Sequence, residues 1–261
     1  MRLGCFGKIK DIDGAAAAGF DYIELDLFEL ISQPEERFQC VRRSLCDAQI
    51  GADACSWVMP IDADLTAPAR QPSIWREYLI KGAERSRALG TVIWPLGSGR
   101  GRGMKPANGS EAQQKERFQA FFAELCEIAA SYGIQVALEP LGPSYSNYIQ
   151  TLEQAVLFLQ GSGIQSAKAS CDLRHMYASG DPLESIDRYA EYIIHTHIDY
   201  PLGDRRVFPL PDDGFDYTDY IRRIQKTKAT RLSVEALQEP DLSVGRPSVT
   251  YLREMIKKVG K

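Results

Sequence analysis

The stretch from 170 to 200 opens with Ser170-Cys171-Asp172-Leu173-Arg174-His175-Met176 and closes with Tyr192-Ile193-Ile194-His195-Thr196-His197-Ile198-Asp199. It holds all three histidines of the chain. Each half reads as a short apolar run, of strand length, that ends in a group able to bind a divalent metal. Imidazole and carboxylate together suit manganese, iron, cobalt or zinc.

The same unit recurs outward in both directions. Strand-length apolar runs are predicted at 3–6, 22–27, 51–57, 91–96, 134–138, 167–171, 192–196 and 231–234. They alternate with helical stretches at 12–19, 35–48, 74–89, 111–131, 151–160, 182–189, 217–226 and 247–258. The longest, 111–131, places Phe118, Phe121, Phe122, Leu125 and Ile128 at the spacing of one buried helix face, and Gly133 stands where a helix stops. Thr151 reads as an N-cap, with Gln154 as its capping-box partner. Eight strand–helix units with no clear linker predict a single α/β domain over 1–261, a (β/α)₈ TIM barrel. The competing open, doubly wound sheet has no glycine-rich fingerprint after the first strand to support a dinucleotide.

In a barrel, chemistry sits at the carboxyl ends of the strands. Glu139, Asp172, His197 and Glu235 hold that place on four consecutive strands, 33, 25 and 38 residues apart. Three carboxylates at one side of the mouth repel unless a cation lies between them, which points to one divalent ion. Manganese leads, with cobalt, magnesium, zinc or iron as alternatives. His195 shares a strand face with His197 and is expected deeper in the barrel. Trp57, at the end of the third strand, reads either as a ring for a ligand to stack on or as core, and Trp94 reads as core. Gly97-Ser98-Gly99-Arg100-Gly101-Arg102-Gly103 reads as a flexible loop whose Arg100 and Arg102 can reach a phosphate or carboxylate.

The totals exclude several classes. A 261-residue chain with 44% hydrophobic and 25% charged residues is ordinary for a globular protein. A net charge of -4 without a basic block argues against nucleic acid as a partner. No apolar run approaches the ~20 residues of a membrane span, and no signal-type segment follows Met1, so a cytoplasmic location is expected. The six cysteines form no Cys-x-x-Cys pair and are expected as buried thiols. Loops 60–73 and 200–215 are long for simple connections. The first is expected as surface padding. The second is expected as a lid or subunit contact, which leaves a homo-oligomer open.

Ala137-Leu138-Glu139-Pro140-Leu141, Cys171-Asp172-Leu173-Arg174-His175-Met176, Ile194-His195-Thr196-His197-Ile198 and Leu232-Ser233-Val234-Glu235 follow one another as they do in a known group. The chain resembles the sugar-phosphate isomerase/epimerase superfamily of xylose-isomerase-like TIM barrels, nearest to the ketose 3-epimerases and hydroxypyruvate isomerases. The resemblance implies metal ligation by Glu139, Asp172, His197 and Glu235, with substrate contacts from His175 and Arg206. It implies proton transfer beside a carbonyl through an enediolate, with Glu139 and Glu235 as the catalytic pair and a carbohydrate or small hydroxy-keto compound as substrate. There is one departure. Six residues after the first metal glutamate, the ketose 3-epimerases carry a second glutamate, and this chain has Tyr145. A lyase or dehydratase acting on a keto acid or inosose shares the proton abstraction, and a non-catalytic binding protein is the remaining alternative. A DNA-repair endonuclease is expected to need a metal cluster richer in histidine.

Overall fold

The computed structural model describes residues 1–68, 72–237 and 241–260. Eight parallel strands close into one barrel in sequence order: β1 (Arg2–Gly7), β2 (Tyr22–Asp26), β3 (Gly51–Ser56), β4 (Ile93–Leu96), β5 (Gln135–Leu138), β6 (Ala167–Asp172), β7 (Ile193–Ile198) and β8 (Arg231–Val234). Pairing of Arg2 with Arg231 and of Cys5 with Val234 joins the last strand to the first. The helices are α1 (Ile12–Ala18), α2 (Leu27–Ser32), α3 (Glu35–Asp47), α4 (Pro72–Leu89), α5 (Gly99–Arg102) and α6 (Glu111–Ser131). They continue as α7 (Leu152–Ser162), α8 (Leu173–Ser179), α9 (Glu184–Arg188), α10 (Thr218–Ile224) and α11 (Arg246–Val259). The predicted (β/α)₈ TIM barrel is the fold observed.

Strand alternation divides the side chains into two sets. Leu3, Ile23, Trp94, Val136 and Leu232 face the helices and belong to the main core. Tyr22, Ala54, Ile93, Ala137 and Ile194 form a separate small cluster. The Tyr22 ring lies over Gly4, where any Cβ would fall within 2.3 Å of it. Above that cluster the inward positions turn polar, with Glu24, Ser56, His195, His197 and Ser233 all buried. The irregular pairing between Ala169 and Ser170 absorbs one extra residue at Ile194, so His195 pairs with Ser170 and His197 with Asp172.

Local chemistry explains the helix starts. Ser110 Oγ accepts from the Gln113 N–H, and the Gln113 side chain returns to Ser110, a complete capping box at the head of α6. At α7, Thr151 Oγ1 accepts from Gln154 N, but the Gln154 side chain turns to Gln150 N at 2.7 Å instead of closing the expected box. Trp94 is fully buried, its indole N–H on Ser86 Oγ at 2.9 Å.

Loop 60–73 departs from the expected surface padding over its described part. Leu65 and Thr66 are buried, and Asp64 holds Lys105 Nζ at 2.8 Å and Asn108 Nδ2 at 3.0 Å. The stretch 69–71 of that loop lies outside the described residues. Of the six cysteines, Cys5, Cys55, Cys126 and Cys171 are buried, whereas Cys40 is half-buried and Cys46 exposed on α3. No described helix is long and apolar enough to cross a membrane.

Candidate active site

Connectivity delivers four residues to one side of the barrel mouth. Glu139 follows β5, Asp172 ends β6, His197 stands one residue before the end of β7, and Glu235 follows β8. All four are buried. Asp172, His197 and Glu235 offer ligand atoms within 4.8 Å of one another, and Glu139, Asp172 and His175 do likewise. His197 Nδ1 meets Glu139 Oε1 at 2.6 Å, so the two groups form one cluster. The set is mixed oxygen and nitrogen, which fits a borderline divalent ion. The Arg206 guanidinium already supplies one positive charge. It donates to Asp172 Oδ2 at 3.1 Å and to Glu235, and lies 3.8 Å from Asp199 Oδ2. Without an ion, the protonated His197 shares with Arg206 the task of offsetting these carboxylates, a task a divalent ion would take over as it displaces the His197 proton.

The two glutamates differ in proton affinity. Burial pushes Glu139 up, but the charge and hydrogen bond of His197, with His175, outweigh it and hold the carboxyl below its ordinary range. Burial raises Glu235 to about 7, with Glu139 and Asp172 adding to the rise and Arg206 and His197 opposing it. Asp172 lies below its ordinary range, because His175, Arg206 and His197 overcome burial. His197 is pushed well up. Burial lowers it, but Glu24, Glu139 and Glu235 surround it with negative charge.

His175 lies in the first turn of α8, a helix that Asp172 itself caps by accepting from the His175 N–H at 3.0 Å. Burial lowers the imidazole, so it is neutral at pH 7. Its Nδ1 lies 3.2 Å from Gly142 N. The Arg206 guanidinium can only donate, and Nε2 accepts from its Nη2 at 2.9 Å. The Tyr145 ring closes this corner edge-on to His175 at 4.9 Å and beneath Arg206 at 5.7 Å. Tyr145 remains 45% exposed, and so presents aromatic surface to the mouth.

Loop 200–215 is tied down. Arg174 pairs with Asp199 Oδ2 at 2.6 Å and donates to the carbonyls of Gly203, Tyr200 and Arg205, which sets the backbone just before Arg206. Trp57 follows β3 with φ +51, a left-handed conformation that costs a bulky residue of order 1–3 kcal/mol. It is 43% exposed and lies 5.3 Å from the Phe6 ring.

Arg102 departs from the expected substrate contact. The glycine-rich stretch folds as α5, and the Arg102 side chain is fully buried. Its guanidinium donates to the carbonyls of Glu139 at 2.7 Å, Ile149 at 3.0 Å and Tyr148 at 3.1 Å. It thus braces the backbone at the end of β5, from which Glu139 projects. Glu24, in the middle of β2, belongs to none of the motifs singled out above. It turns inward and is fully buried. Burial raises its carboxyl, and the charges and hydrogen bonds of His197 and His195 reverse this and hold it well below its ordinary range. The signal that could have marked it is a charge in the middle of the apolar run Tyr22-Ile23-Glu24-Leu25.

Residues 12–258 match the profile of the xylose isomerase-like TIM barrel family. The chain belongs to that family. Among solved structures, it is similar to 3-keto-D-glucoside 4-epimerase from E. coli, with 15% identity, TM-score 0.79 and 97% and 99% of the two chains covered. D-Allulose 3-epimerase from Methylomonas sp., in complex with D-allulose, gives 19% identity, TM-score 0.80 and coverage of 98% and 97%. L-Ribulose 3-epimerase gives 18% identity, TM-score 0.81 and coverage of 99% and 95%. At such identities the likeness is one of family fold. No curated protein matches the chain by sequence.

Proposed function

We propose that this family member is a divalent-metal-dependent isomerase or epimerase of a carbohydrate or small hydroxy-keto compound. The observation that carries the reading is the pair Glu139 and Glu235. They come from β5 and β8, share a buried cluster with Asp172 and His197, and differ in proton affinity. Two carboxyls that reach one cluster from separate strands can divide the roles of base and acid.

Glu139, Asp172, His197 and Glu235 would hold one ion, with manganese the first choice. When bound, the ion polarises the substrate carbonyl and lowers the cost of an enediolate. Glu139, ionised and braced through Arg102, removes the proton from the carbon beside the carbonyl. Glu235, which reaches the substrate from β8, would pass on a proton taken from solvent, to the opposite face in an epimerisation or to the neighbouring carbon in an aldose–ketose isomerisation. An Arg206 N–H donates to a substrate oxygen, with His175 beside it as the second contact. Trp57 and Tyr145 offer aromatic faces to the carbon skeleton. The sugars of the similar structures, D-allulose among them, make free ketoses the first compounds to test.

The test is exchange. Ketoses and hydroxy-keto compounds incubated with the manganese-loaded protein in heavy water should take up one deuterium at the reacting carbon and yield an isomer of unchanged composition. Loss of water from the product would instead assign a dehydratase. No exchange with any ketose or hydroxy-keto compound, with the ion bound, would remove the reading.

A further inference from the structure

Beneath the four strand-end residues lies a buried polar layer that the reaction does not use. At its centre is Glu24, on β2. Its Oε1 accepts from His197 Nε2 at 3.0 Å and from the Ser56 hydroxyl. Its Oε2 accepts from His195 Nε2 at 2.8 Å and from Ser233 Oγ at 2.6 Å. Ser233 uses its proton on Glu24, so the Tyr22 hydroxyl, 2.7 Å away, donates to Ser233. Strands β2, β3, β7 and β8 thus converge on one carboxylate that has no solvent exposure.

We propose that Glu24 is the positioning residue that decides which nitrogen of His197 meets the ion, a role that rests on the metal reading above. The geometry leaves His197 two ring nitrogens in unlike surroundings. Nε2 points down into the Glu24 layer, and Nδ1 points towards Glu139 and the ligand cluster. A carboxylate on one nitrogen keeps the proton there and turns the other, as a lone pair, towards a metal. Glu24 therefore fixes the Nε2–H form, and Nδ1 is the ligating atom.

Glu24, His195 and His197 also lie within 4.8 Å of one another, which raises a second ion deeper in the barrel as a competing reading. The bond count argues against it. Each Glu24 oxygen already accepts two hydrogen bonds, which fills the capacity of a carboxylate. His195 in turn directs Nε2 to Glu24.

Two experiments test the role. In the zinc-loaded wild-type protein, long-range ¹H–¹⁵N correlation of the histidine rings should show His197 with Nδ1 on the ion and a proton retained on Nε2. Zinc uptake should stop at one equivalent. Glu24→Gln should lower zinc affinity 10- to 100-fold, the effect expected for the outer partner of a ligating histidine. The ring measurement needs no variant, so it stands even if Glu24→Gln does not fold. Ligation through Nε2, a second equivalent bound at Glu24, or a folded Glu24→Gln of wild-type affinity would overturn this role and leave the function standing. A wild-type protein that takes up no zinc would overturn both.

Discussion

At the scale of single residues, the opposed settings of Glu139 and Glu235 make separable expectations. Glu139→Gln and Glu235→Gln should each lower kcat by about 10²- to 10⁴-fold, the range for general acid–base groups, with a smaller change in KM. For an epimerase the two variants should differ in which epimer still exchanges its carbon-bound proton. Retention of full turnover in both, with the ion bound, would end the two-glutamate mechanism. Gly97 offers a subtler check. A Cβ there would fall 2.9 Å from Glu139 Oε2, and that neighbour is the mobile end of a side chain. Gly97→Ala should therefore displace the carboxylate and cut kcat at least tenfold while leaving the melting temperature nearly unchanged. Equal loss of activity and stability would mean that the barrel, not the carboxylate, had moved. The convergence of Glu139, Asp172, His197 and Glu235 was legible in the sequence because chain connectivity alone puts strand ends together. Arg102 and Glu24 were not legible in the same way. Whether a buried guanidinium reaches substrate or four carbonyls depends on which backbone passes overhead, and spacing along the chain does not carry that.

At the scale of elements, all eight strands could be read from apolar runs, since strands covered on both faces stay mostly apolar outside the few inward polar positions near the mouth. The short helices α2, α5 and α8 could not. Each has seven residues or fewer and owes its existence to a neighbour: Asp26 caps α2, Asp172 caps α8, and the buried Arg102 anchors α5. Loop 200–215 looked like a flap from its length, yet Arg174 and Asp213 stitch it. Asp213 bonds Leu210 N, Phe215 N and the Tyr217 hydroxyl. Arg174→Leu removes a partner of Asp199, whose carboxyl burial raises to about 8, and frees three carbonyls, at a cost of about 1–3 kcal/mol for polar groups left unpaired. Its functional effect should follow from where it acts, on the backbone leading to Arg206. KM should rise, and substrate should protect the loop from proteolysis less than in the wild type. An unchanged KM in a folded Arg174→Leu protein would show that Arg206 keeps its place without the stitching.

At the scale of the whole molecule, closing the sheet concentrates acid at one end of the barrel, and protons and a divalent ion compete for it. Without the ion, His197 is protonated through neutral pH, because the surrounding carboxylates raise it well above its ordinary value. A metal must displace that proton from Nδ1, so affinity should rise about tenfold per pH unit as long as His197 is protonated. Below about 7, Glu235 also holds a proton that the ion must release, and the rise should steepen towards hundredfold per unit. The same raised carboxyl sets the stability of the metal-free protein. Between its ordinary 4.5 and about 7 the folded chain binds more protons than the unfolded one, so stability contributed by this group falls as pH increases across that window. Saturating manganese should reverse that trend, because it binds the folded state alone and more tightly at higher pH. Competition with a chromogenic chelator from pH 5.5 to 8.5 would read the two slopes. Calorimetry in buffers of different ionisation heat would count the protons released. A flat affinity across this range would show that neither His197 nor Glu235 must lose a proton to the ion, and would remove both from the ligand set.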